Sequence, residues 1–76
     1  MKTEEEWADE VKRMLRAEMT RRGVTYEELA SRLAAVGAPD TVVNLRNKVA
    51  RGKFSAVFLV QCLDVLGCKS LHLQSE

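Results

Sequence analysis

The sequence predicts an all-α domain of four helices, and three observations carry that reading. Residues 25–67 hold three helix-sized segments in succession, the middle one polar and basic. A longer amphipathic segment precedes them, and it opens, like the second, on a T-x-x-E signal. Glycines at 23, 37, 52 and 67 fall where a left-handed residue would close each segment. Three short helices with a cationic one in the centre have the order of a helix-turn-helix unit. The unit occupies about residues 25–52 of a single domain over 1–67, and residues 68–76 form a short tail.

The first segment begins at Thr3, which with Glu6 makes a capping box, and ends at Gly23. Trp7, Ala8, Val11, Met14, Leu15 and Met19 form its apolar stripe. Glu4, Glu5, Glu6, Asp9 and Glu10 crowd its start and Arg16, Arg21 and Arg22 its end, the charge order that opposes the helix macrodipole. Helix stability accounts for most of these charges. Glu18 is the exception, because its wheel angle lies inside the apolar stripe, where an unpaired carboxylate is costly. It requires a partner. The expected one is Arg46, with Arg32 the second choice, in a semi-buried structural ion pair that locks the first helix to the polar one.

The second segment is capped by Thr25, whose hydroxyl faces the Glu28 N–H while the Glu28 carboxylate reaches back, a second capping box. Val24 and Leu29 are placed as a hydrophobic staple, and Leu29, Ala30 and Leu33 continue the stripe to about Val36 before Gly37. Pro39 and Asp40 then start the third helix, proline supplying φ and Asp40 a charged cap, and Gly52 ends it. On a wheel of about 100° per residue, Val42, Leu45 and Val49 share one side and Val43, Asn44, Asn47 and Arg51 the other. Arg46 and Lys48 flank the apolar side.

The fourth segment has Ser55 as N-cap, Phe54 and Leu59 as the staple pair and Gly67 as the stop. Phe58, Leu59, Cys62, Leu63 and Leu66 make its main apolar face. Val57, Val60 and Val65 carry hydrophobicity well round the cylinder, so the helix is either deeply buried or shared with a partner.

Composition narrows the function classes. With 46% hydrophobic and 30% charged residues the chain is globular, and 76 residues make one domain with a modest core. No apolar run approaches the roughly 18 residues that span a membrane, and the acidic, tryptophan-bearing start is unlike a signal peptide, so a cytoplasmic protein is expected. Cys62 and Cys68 read as reduced thiols. With His72 they match no common zinc spacing, and no metal or other cofactor is inferred. No nucleophile elbow, phosphate-binding glycine loop or H-E-x-x-H helix is present, so the expectation is a non-enzyme with no small-molecule substrate.

The net charge of +1 is low for a nucleic-acid binder, but its distribution is uneven. Between Ala38 and Lys53 the cations Arg46, Lys48, Arg51 and Lys53 face the single anion Asp40, whereas residues 1–24 balance to zero. A solvated charged face is the plainer explanation of the same residues.

Leu29-Ala30, the later Val49-Ala50-Arg51-Gly52-Lys53 and the closing Leu66-Gly67 resemble the helix-turn-helix domains of the Cro/repressor type, the XRE family. Nearly everything from Trp7 to Gly67 also resembles a family of short bacterial proteins classed as a domain of unknown function, most distinctively in RRGVTYEELA and LRNKVARGKFSAVFLVQCL. The first resemblance implies a repressor-like fold and a small bacterial or phage-type transcription regulator that binds double-stranded DNA as a homodimer. The turn departs from that pattern, with Ala34 where the family has glycine and about three extra residues before the next helix.

What the resemblance implies for residues is specific. Helix 40–51 would enter the major groove, Asn44 and Asn47 contacting adenine and Val43 a thymine methyl. Lys48, Arg51 and Lys53, with Thr25 and Tyr26 at the start of the preceding helix, would contact phosphates. The rival reading keeps the fold without DNA binding and makes Val57, Val60 and Val65, with Trp7, a dimer or partner interface. In the tail, Leu71, His72 and Leu73 alternate as an edge strand would, although fraying is the expected fate of a short terminus.

Overall fold

Each helix starts where a hydroxyl is available to hold an orphan backbone N–H. Thr3, Thr25, Thr41 and Ser55 accept from the N–H groups of Glu6, Glu28, Asn44 and Phe58 at 3.2, 3.1, 3.0 and 3.0 Å. The structure, a computed structural model, describes residues 1–71. Its elements are α1 (Glu4–Arg21), α2 (Tyr26–Ala35), α3 (Val42–Arg51) and α4 (Ala56–Leu66). Among the described residues there is no strand, and the four-helix, all-α expectation holds. His72 and Leu73 of the expected tail alternation lie outside the described residues.

Two local expectations are corrected. The third helix does not start at Pro39 and Asp40: Thr41 is its N-cap and Val42 its first residue. Asp40 is drawn off by three donors, the Thr41 N–H among them, so the neighbouring hydroxyl does the capping. The box at Thr25 is half formed, because the Glu28 carboxylate turns to Arg32 at 2.8 Å instead of to the Thr25 N–H. At Thr3 both halves are present.

α1 and α2 each lie against α3 and α4, so the two later helices are gripped from both sides. Leu15 and Met19 of α1, Leu29 and Leu33 of α2, Leu45 and Val49 of α3 and Phe58, Cys62 and Leu66 of α4 meet in one core. Burying each large aliphatic side chain contributes about 1.5–3 kcal/mol. Phe54, before α4, packs edge-on to Phe58 with ring centroids 5.1 Å apart. Arg32 ties α2 to the far end of α4 by donating to the Val65 carbonyl at 2.9 Å, where a cation also suits the helix C-terminus.

The turn between α2 and α3 is set by a Schellman closure. The Ala38 N–H bonds the Leu33 carbonyl at 2.9 Å and the Gly37 N–H bonds Ala34 at 3.1 Å, with Gly37 at φ 83°. The connection then runs through Ala38 and Pro39 to Thr41. α3 ends differently, at Gly52, whose backbone lies directly on α1 beside Ala8.

Two α1 residues depart from expectation. Trp7 does not enter the core: it is 54% exposed, with the Lys2 ammonium 4.5 Å from its ring centroid. Its ring lies instead on the surface beside Gly52, Lys53 and Phe54, where the start of α1 passes the end of α3. Glu18 is buried as its position in the stripe demands, at 7% exposure, but Arg46 is not its partner. Arg21 and Arg22, three and four residues on, hold it at 2.6 and 3.2 Å. A pair within one turn of a helix needs no long-range alignment, and Arg46 is engaged elsewhere. The same two guanidiniums, Arg21 first, hold the Glu18 carboxyl below the usual carboxylate range against the opposing effect of burial.

Candidate functional site

The outward side of α3 follows from what its inward side must do. Leu45 and Val49 are wholly buried, which turns Val43, Asn44, Asn47 and Arg51 to solvent; Val43 is 66% exposed. The wheel drawn from the sequence therefore places this face correctly. No residue of α3 itself is acidic, and the helix carries Arg46, Lys48 and Arg51.

Most cations here are not free, however, because acids from three other places reach Arg46 and Lys48 of α3 and Lys53 just beyond it. Lys48 bonds Asp40 at 2.6 Å, Arg46 lies 3.7 Å from Glu27 of α2, and Lys53 lies 3.4 Å from Glu5 of α1. Arg51 has instead a backbone carbonyl, Asn47 O, at 3.4 Å from Nε. Arg46 also stands over the Tyr26 ring, 5.1 Å from its centroid, and Lys48 over Phe58 at 4.8 Å. The local excess of positive charge is thus largely answered within the fold. Only Asp40 was visible in the sequence as a local anion; Glu5 and Glu27 are brought up by packing and carry no local signal.

Asp40 gathers the polar start of α3. Its Oδ1 accepts from the Thr41 N–H at 2.9 Å and from Asn44 Nδ2 at 3.1 Å, and its Oδ2 accepts from Lys48. The Lys48 hydrogen bond, then that of Asn44, holds the Asp40 carboxyl below the usual range. The Asp40, Asn44, Lys48 spacing of four and four was the signal that could have found this cluster.

Thr25 and Tyr26 meet at the start of α2, where they line a depression of about 250 Å³ with Arg16, Met19, Thr20 and Val24. The Thr25 oxygen accepts from Glu28 and the Tyr26 hydroxyl accepts from Arg16 Nε at 3.4 Å, so each O–H hydrogen remains available to a ligand. Beside them are the first-turn N–H groups of α2, which have no partner within the helix. Arg16, read from the sequence as a helix-end charge only, joins this group through the turn at Gly23.

On α4, Val57 and Val60 are exposed, at 66% and 62%. Val65 is not part of that patch: it is half-buried and packed against the core. Five residues turn a helix by about 140° past Val60, which carries Val65 to the α2 side. Trp7 belongs to another surface, a depression of about 340 Å³ shared with Glu4, Val11, Gly52, Lys53 and Phe54.

The thiols and acids form no metal cluster among the described residues, and His72 lies outside them. Cys62 is buried, which pushes its thiol up to about 11. No helix is long and apolar enough to cross a membrane.

Searches among curated proteins and among solved structures found no match. Residues 7–71, from the first turn of α1 to beyond α4, match the family described as a domain of unknown function (DUF6471), and the chain belongs to that family.

Proposed function

We propose that this domain binds double-stranded DNA by inserting α3 in the major groove and acts as a small transcription regulator. The observation that carries the reading is the outer face of α3. It presents two amides, an exposed valine and a guanidinium from a helix without a carboxylate, while Leu45 and Val49 fix the helix from behind. An amide can bond N6 and N7 of adenine together, and a valine can cover a thymine methyl, so Asn44, Asn47 and Val43 take the base contacts. Arg51 and Lys53 take phosphates, with Thr25 and Tyr26 contributing hydroxyls and the α2 N-terminus its free N–H groups, while Lys48, expected from the sequence to join them, is paired with Asp40. The likeness to Cro/repressor domains supports the same docking. The protein acts by binding and not by catalysis. It works as a homodimer whose subunits meet through Val57 and Val60 of α4, placing two copies of α3 on two half-sites.

A second reading is favoured by the same valines together with the self-neutralised charges of α3. In it the domain binds a protein partner through α4 and α3 is solvated.

Fluorescence anisotropy on a short mixed-sequence duplex across a salt series separates the two. Phosphate contacts release counterions, so log affinity should fall with log salt, and changing Arg51 and Lys53 to alanine should reduce that slope by about two contacts at roughly 0.9 each. Undetectable binding at low salt, or a slope indifferent to the double substitution, removes the DNA reading and leaves the α4 surface.

A further inference from the structure

Among the described residues, Asp40 is the one acid near α3 that is sheltered and has both carboxylate oxygens engaged. Its side chain is 15% exposed, and the 2.6 Å contact to Lys48 is the closest of the three pairs made by α3 and Lys53. The other two join exposed partners at 3.4 and 3.7 Å and are open to screening by salt. Lys48 is held twice, by the carboxylate at its ammonium and by the Phe58 ring 4.8 Å away. Seen by an approaching phosphate it is half of a neutral pair. Asn44 gives one amide hydrogen to the same carboxylate at 3.1 Å, which leaves its oxygen and second hydrogen, the two groups a bidentate adenine contact uses.

We propose that Asp40 is a specificity-determining residue, an internal stand-in for a DNA phosphate that withholds Lys48 from sequence-independent binding while leaving Asn44 able to read a base. This rests on α3 being the DNA-contacting helix. Binding without sequence preference draws almost wholly on phosphate contacts, whereas base edges supply discrimination. Withholding one cation therefore weakens the first far more than the second. The depressed carboxyl of Asp40 accords with its remaining charged, and hence competing, across the neutral range.

The test compares the intact chain with Asp40→Asn, Lys48→Gln and the double variant, all on the mixed-sequence duplex through a salt series, with circular dichroism to check folding. Asparagine keeps an acceptor oxygen for the Thr41 N–H. Asp40→Asn should bind more tightly at low salt with a slope steeper by about 0.9, so its advantage over the parent shrinks roughly threefold for a fourfold rise in salt. Lys48→Gln alone should leave the slope unchanged, and the double variant should return to the parent slope. A parent that is silent at low salt removes the DNA reading and this proposal with it. If the parent binds and Asp40→Asn has its slope and affinity, the proposal is overturned and the DNA reading survives. A slope shallower by about 0.9 in Lys48→Gln overturns it equally, and decides the matter even if Asp40→Asn does not fold.

Discussion

At Gly52 the chain needs two things that no other residue supplies together. Its φ is 65°, and a Cβ built there would stand 2.1 Å from the Ala8 carbonyl oxygen, which is backbone and has nowhere to move without shifting α1. Gly37 shares the left-handed conformation, at φ 83°, but a Cβ there would meet nothing within 4 Å. Gly37→Ala should therefore cost only the conformational strain, about 1–2 kcal/mol. Gly52→Ala adds overpacking of about 1–3 kcal/mol more. Urea titrations of the two variants check this, and equal losses would show that α1 does not press on Gly52. At this scale the sequence announced Gly52 as a helix stop and gave no hint of Ala8, because the close approach is made between residues 44 positions apart. Glu18 shows the opposite case. Its burial and its need for a cation were legible from the wheel, but a wheel ranks no partners, and Arg21 and Arg22 in the next turn displaced the more distant Arg46.

Among the helices, α4 is the one whose surface is least explained by its own fold. Its inward residues Phe58, Cys62 and Leu66 are buried, while Val57 and Val60 stand in solvent on the remaining side. If subunits meet there, Val57→Asp with Val60→Asp should convert a sedimenting dimer to a monomer while the helical dichroism is retained, since neither side chain supports the core. Val65→Asp should instead unfold the protein, because that residue packs inward. A parent that sediments as a monomer at every concentration would sink the α4 dimer. The helices themselves were readable because hydroxyl caps, staples and stop glycines are local chemistry. The start of α3 was misplaced by two residues for a local reason too. Asp40 and Thr41 compete for the cap, and the winner depends on Lys48 and Asn44 pulling the carboxylate aside, a cooperative arrangement that capping preferences alone do not weigh.

Among the described residues charge is arranged in ion pairs, most of them local and two, Arg46 with Glu27 and Lys53 with Glu5, reaching between elements, and that arrangement makes stability depend on pH. Twelve Lys and Arg stand against eleven Asp and Glu, so protonating the acids leaves a chain of this size strongly cationic. Two of the paired carboxyls are depressed. Glu18 and Asp40 both titrate lower in the folded chain than their ordinary values of 4.5 and 3.8. A depressed carboxyl contributes stability that is fully present above the unfolded value and is lost as pH falls through the folded one. The urea midpoint should accordingly be flat from neutral pH down to about pH 5 and then decline through the carboxylate range. Glu18→Gln isolates the buried member of the set. It should be less stable than the parent at about pH 7, and the difference should close as the pH drops below the folded value of Glu18, because the parent then carries a neutral carboxyl in the same place. Parallel pH curves for the two chains would mean that the Arg21 and Arg22 contacts give Glu18 no preference for its charged form in the folded state, and that acid sensitivity arises from the exposed pairs instead.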